Sequence, residues 1–176
     1  MRKISIIFLL VALLSCGNES DKEVPQKKID NKALGQSLEK ANRYLVAEEE
    51  EEIENYIKRH KLNMTSTGTG LRYQIIKLGD GRQIENGDLV TLQYELYSIT
   101  DDLIYSSKTD GEKKFVVGNG EVETGLHELL PLLNVGTVVK AILPSHLAYG
   151  LTGDQRQIGQ RNTLIYNIKV VEAGKL

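Results

Sequence analysis

The chain has 176 residues, 40% of them hydrophobic and 26% charged, with a formal net charge of −2. That mix is globular, is long enough for one ordinary domain with an appendage, and gives no electrostatic footing for nucleic acid. Cys16 is the single cysteine, so no disulfide framework supports the fold and packing must hold it.

Arg2 and Lys3 precede an eleven-residue, predominantly apolar run from Ile4 to Leu14, which Ser15 closes just before Cys16. The run is shorter than the ~20 apolar residues that span a bilayer, and its basic start and small final residue make residues 1–15 a secretory signal. Removing Arg2 and Lys3 lowers the basic count from 22 to 20 against 24 acidic residues, a mature charge of about −4. Leu13-Leu14-Ser15-Cys16 is similar to a bacterial lipobox, which implies that Cys16 is lipidated and begins the mature chain. Acyl chains contribute ~0.8 kcal/mol per buried methylene, so the two or three that this likeness implies would anchor the protein durably. The expected setting is the cell envelope, on a membrane and facing the periplasm.

Residues 16–35 read as the lipidated cysteine and a polar tether containing Pro25. Residues 36–64 form a helical segment: Leu38, Ala41, Leu45, Ile53 and Ile57 recur at helical spacing, with Glu39 and Arg43, and Glu54 and Lys58, as i,i+4 pairs. Five acids, Glu48 to Glu52, interrupt its apolar stripe and read as a solvated face, with a metal or basic-partner site as the alternative. Leu38, Ala41 and Leu45 must pack on the domain or on a partner, so a homodimer through this helix is expected.

From residue 65 to 176 the period changes to two. Leu71, Tyr73 and Ile75 alternate with polar neighbours, and Gly79-Asp80-Gly81 turns the chain. A strand follows from Val90 to Tyr97, with Val90, Leu92, Tyr94 and Leu96 on one face. Further strands are expected at Leu103–Ser106, 114–117, Val138–Leu143 and 163–171, the last with Leu164, Tyr166, Ile168 and Val170 aligned. Between them, Thr124 to Leu133 places Leu126, Leu129, Leu130 and Leu133 on one helical face, which Pro131 must kink or shorten. Antiparallel strands with one short helix on one face make an α+β domain.

Six ordered segments carry a family resemblance. They are Gly87–Tyr94, Ile104-Tyr105-Ser106-Ser107, Phe115–Gly118, Gly120–Leu126, Pro144–Gly150, and Ile158 with Thr163–Tyr166. Together they resemble the FKBP family of peptidyl-prolyl cis-trans isomerases, which implies a twisted antiparallel sheet with one short helix packed on it, here preceded by a long N-terminal helix. Leu143–His146 and Gly150–Asp154, taken with the lipobox and the leading helix, are similar to the gliding-motility-associated FKBP-type lipoproteins.

The resemblance implies that proline-containing polypeptides are the clients and that no cofactor or metal is used. It assigns Tyr149, Tyr94, Phe115 and Tyr166 to catalysis, and Ile104, Tyr105, Glu121, Val122, Glu123, Leu126 and Ile158 to substrate binding. Tyr149 would direct its hydroxyl at the substrate carbonyl, with the Glu123 N–H as a second donor. Taken without the resemblance, inward rings such as Tyr94, Phe115 and Tyr166 read as core, whereas Tyr149 lies in a loop with no strand face to fill. His60, His127 and His146 have no metal-like spacing, and Asp154 reads as a turn residue.

Four positions depart from the family pattern: Tyr105 for an aspartate, Leu126 for a floor tryptophan, Lys113 for an aromatic wall residue and Glu123 for an aliphatic one. They count against tight macrolide binding more than against isomerisation, and they keep a non-catalytic chaperone or binding module as the alternative.

Overall fold

The computed structural model describes residues 31–120 and 122–175. The signal segment, Cys16, the tether up to residue 30 and Glu121 lie outside the described residues. Helix α1 spans Asn31–His60, so it starts inside the stretch expected to be tether, and Leu34 extends the Leu38, Ala41 and Leu45 spacing by one turn. Among the described residues seven strands follow: β1 (Thr65–Ser66), β2 (Arg72–Lys77), β3 (Asp88–Ser98), β4 (Leu103–Ser106), β5 (Lys113–Val116), β6 (Val138–Leu143) and β7 (Leu164–Lys175). Helix α2 (Ser107–Asp110) lies between β4 and β5, and α3 (Thr124–Leu129) between β5 and β6. Pro131 converts the end of α3 into a 3-10 turn, Leu130–Leu132, as its missing N–H requires.

All strand pairs are antiparallel, in the order β1-β2-β6-β7-β3-β4. The outer edge of β3 is shared: β5 pairs with Leu89 to Leu92 and β4 with Glu95 to Tyr97. The chain leaves the sheet between those two pairings, and α2 occupies the excursion. Ser106 caps α2, its hydroxyl accepting from the Lys108 N–H.

The main core lies between α3 and one face of the sheet, where Val90, Leu92, Leu96, Leu126, Leu129, Ala141, Leu164, Tyr166 and Ile168 are buried together. Gly125 allows this approach: a Cβ there would meet the Leu143 side chain at 2.6 Å. The other face is not wholly solvated. Ile53 and Tyr56, one helical turn apart on α1, pack against Ile142 of β6 and Ile165 of β7, with Ile57 and Tyr97 alongside.

Polar contacts fasten the same half of α1 to the domain. Buried Arg72 of β2 donates to Glu50 and forms an ion pair with Glu54 at 3.4 Å. Glu49 accepts from the Ser145 N–H at 2.6 Å, the Ser145 hydroxyl at 2.9 Å and the Thr163 hydroxyl at 2.7 Å. The acidic run is therefore not simply a solvated face, because two of its members meet donors on the sheet side. The first half of α1 stands exposed, including Leu34, Leu38 and Leu45. Among the described residues, no helix is long and apolar enough to cross a membrane.

Candidate active site

A hollow of about 360 Å³ opens where β3, β4, β5 and the long connection from β6 to β7 converge. Tyr94 reaches it from β3, Tyr105 from β4, Asp110 from the end of α2 and Lys113 from β5. Tyr149, Asp154 and Arg156 come from the connection. Tyr94, Tyr105 and Tyr149 are half-buried and pack against the core. Three aromatic rings thus line one cavity.

Lys113, one of the lining residues, belongs to a buried charged cluster. The Glu123 side chain is fully buried, and Lys113 Nζ approaches its two oxygens at 3.1 and 3.0 Å. The Tyr166 hydroxyl donates to Glu123 Oε1 at 2.6 Å and accepts from Lys113 Nζ at 3.1 Å. Lys113 also lies 5.4 Å from the Tyr94 ring centre and 5.5 Å from that of Tyr166, within cation-π range. Burial pushes the Glu123 carboxyl up, but the Lys113 charge and the Tyr166 hydroxyl outweigh it and hold the group below the usual glutamate range. Burial, and then the Glu123 charge and hydrogen bond, push the Tyr149 hydroxyl well up, and the same causes act on Tyr166.

The connection is shaped locally by Asp154. Its Oδ1 accepts from the backbone N–H groups of Arg156 and Ile158, both at 2.8 Å, while Oδ2 accepts from the Tyr105 hydroxyl at 2.5 Å. Asp154 is thus a turn residue and also the tie between the connection and β4. That bond to Asp154, followed by burial, raises the Tyr105 hydroxyl. Gly153 sits at φ +66°, and a Cβ there would come within 2.2 Å of the Ile158 carbonyl oxygen.

Among the residues singled out in the sequence, Tyr94, Tyr105 and Tyr149 meet at the hollow, whereas Glu123 and Tyr166 do not line it and reach it through their contacts with Lys113. Phe115 does not face it: the ring is buried in the main core, edge-on to His127 at 5.6 Å. Leu126 and Ile158 are core residues as well, and Ile104 and Val122 pack half-buried against that core. The reason is geometric, since an inward position on a strand or helix can face either the general core or the cavity, and alternation alone does not separate the two. Asp110 and Arg156 have no sequence signal that marks them as pocket residues. Lys113 and Glu123 were visible as departures but not as a pair. The Glu123 carboxylate acts on two donors expected to await a substrate carbonyl, since its charge helps to raise the Tyr149 hydroxyl and its own N–H helps to lower the carboxyl. Among the described residues, no group of three His, Cys, Asp or Glu side chains is placed to hold a metal ion.

Residues 80–171 match the family model described as FKBP-type peptidyl-prolyl cis-trans isomerase. The chain belongs to that family. It is 34% identical over 114 residues to a probable FKBP-type isomerase FkpA of Neisseria meningitidis serogroup B, covering 65% of this chain and 42% of that one. It is 27% identical over 153 residues to the outer membrane protein MIP of Legionella longbeachae, covering 87% and 58% respectively. The fold is similar to the crystal structure of FkpA from Escherichia coli, with a TM-score of 0.65 at 23% identity, covering 84% of this chain and 75% of that one. This FKBP-family chain spans about half the length of the curated relatives it matches. Against the family pattern read from the sequence, its distinguishing feature is a buried Lys113–Glu123 pair in place of an aromatic and an aliphatic side chain.

Proposed function

We propose that this FKBP-family chain is a prolyl isomerase acting on exposed X-Pro bonds of polypeptide clients. The observation that carries the reading is the convergence of Tyr94, Tyr105 and Tyr149 on one open hollow. Rotation about a peptide C–N bond meets a barrier of ~18–20 kcal/mol because twisting removes amide resonance. A twisted amide is less dipolar than a planar one, so moving it out of water onto ring faces disfavours the planar form relative to the transition state. No bond is broken and no catalytic acid is required. The charged pair beside the hollow is compatible with this because Glu123 and Lys113 neutralise each other. The Tyr149 hydroxyl and the Glu123 N–H orient the substrate carbonyl.

A protease-coupled assay on a proline tetrapeptide tests the reading: turnover above the uncatalysed rate, reduced about tenfold in Tyr149→Phe, is expected. The second reading, a non-catalytic chaperone or binding module, is favoured by the same ion pair, because the buried Lys113–Glu123 pair stands where the family pattern has an aromatic and an aliphatic side chain. Background rates in both proteins would select it.

The lipobox ending at Cys16 supports an anchored place at the cell envelope, facing the periplasm, of the kind its likeness to gliding-motility-associated lipoproteins implies. Fatty-acid label incorporated by the wild type and lost in Cys16→Ser would support the anchor; label retained in Cys16→Ser would refute it. The exposed Leu34, Leu38 and Leu45 of α1 support pairing with a second copy, and a monomer by solution scattering would contradict it.

A further inference from the structure

Tyr149, Asp154 and Arg156, which supply one side of the hollow, all lie on the 20-residue connection between β6 and β7. Near its start is Ser145 and at its end is Thr163, both nearly buried, and one carboxylate binds both. That carboxylate is Glu49, which comes from a different element, α1. Ser145 in turn sets the backbone around Tyr149: its carbonyl accepts from the N–H of Ala148 at 3.0 Å and of Gly150 at 2.8 Å, the two residues flanking the tyrosine. The Gly150 carbonyl then accepts from the Arg161 N–H at 2.8 Å, which closes the connection on itself.

We propose that Glu49 is a positioning residue for the pocket, a staple that joins the two ends of the connection and so fixes Tyr149 against Tyr94 and Tyr105. The proposal rests on the isomerase reading only for its kinetic consequence. Its geometric content is that a carboxylate on α1, outside the hollow, controls the order of the wall. A charge-assisted bond to a backbone N–H and two hydroxyls is a strong clamp, and removing it leaves Ser145 and Thr163 buried without an acceptor. Among the described residues, Glu50 and Glu54 pair with Arg72 on β2, so they fasten the same helix through the sheet and not through the connection. This separation makes the staple testable apart from helix docking in general.

The experiment compares the full chain with Glu49→Ala and with the double variant Glu50→Gln/Glu54→Gln. In Glu49→Ala, the amides of Gly150 and Arg161 are expected to exchange hydrogen at least about tenfold faster while those of β3 and β7 keep wild-type rates. With a proline tetrapeptide, kcat/KM is expected to fall by about tenfold to a hundredfold. The Glu50/Glu54 variant keeps wild-type exchange at Gly150 and Arg161 and wild-type kcat/KM. Unchanged exchange at both amides in Glu49→Ala, or equal effects in the two variants, would overturn the proposal. If Glu49→Ala does not fold, Thr163→Val removes one arm of the staple and is expected to raise exchange at Arg161; no change there would overturn it equally. A wild-type chain without turnover would refute the isomerase reading and leave the exchange measurement to decide the staple.

Discussion

Replacing Lys113 with methionine keeps most of the side-chain volume and removes the cation from a fully buried carboxylate. At a separation of 3.0 Å and an effective dielectric of 20, the lost attraction is about 5–6 kcal/mol. Desolvation of the two ions opposes it, so the observable is the cost of breaking a buried pair, about 3–5 kcal/mol. The lower end applies here, since the Lys113 side chain is 19% exposed and Glu123 keeps the Tyr166 hydroxyl. At a urea dependence near 2 kcal/mol per molar, a loss of about 3 kcal/mol moves the unfolding midpoint down by about 1.5 M. Lys113→Phe combined with Glu123→Ile removes both charges and restores the residue types implied by the family resemblance. That double variant is expected to return to within about 1 kcal/mol of wild type or to exceed it, because apolar replacement of a buried pair is commonly neutral or stabilising. A loss below about 0.5 kcal/mol in Lys113→Met, the scale of an exposed ion pair, would refute the claim that Lys113 and Glu123 are a desolvated charge pair.

Three further outcomes follow from the packing and the charges. The folded Glu123 carboxyl is held below its unfolded value, so its pairing contributes stability that is fully present above the ordinary glutamate range and is lost as the pH falls through the lowered value. Acid titration of unfolding should therefore show a steeper loss for wild type than for Lys113→Phe/Glu123→Ile, and parallel curves would contradict it. Ile53→Ala opens a cavity between α1 and the sheet and should cost about 2–4 kcal/mol in denaturant unfolding, whereas Leu38→Ala, on the exposed half of the helix, should cost under about 0.5 kcal/mol in a dilute sample. Gly125→Val should lower the thermal midpoint by several degrees, because α3 must move away from Leu143, and an unchanged midpoint would show that this approach is not constrained.

The sheet was legible because its strands alternate cleanly and end at turn residues: Leu103–Ser106 and Val138–Leu143 were read at their observed limits. Short elements such as α2 and the turn at Ser145–Leu147 carry too few residues to show a period. The acidic run of α1 showed its helical spacing but not what lay opposite, and Glu49 meets Ser145 and Thr163 across 96 and 114 residues of sequence. Within the site, the three tyrosines were found through the family resemblance, and Tyr149 also through its loop position. Phe115, Leu126, Ile158 and Tyr166 lie in the main core and not among the lining residues of the hollow, since inwardness does not say which interior a side chain faces. The Lys113–Glu123 pair spans the loop between β5 and α3, and no local spacing links its partners.

The central claim, that a tyrosine-walled hollow lowers the barrier to rotation of a prolyl amide, is tested most directly by exchange spectroscopy on an X-Pro peptide with catalytic amounts of the full chain. Cis and trans resonances should exchange far above the uncatalysed rate, which is slower than once in several seconds, and substantially more slowly with Tyr149→Phe than with wild type. Exchange at the uncatalysed rate with the folded wild-type protein would contradict the account.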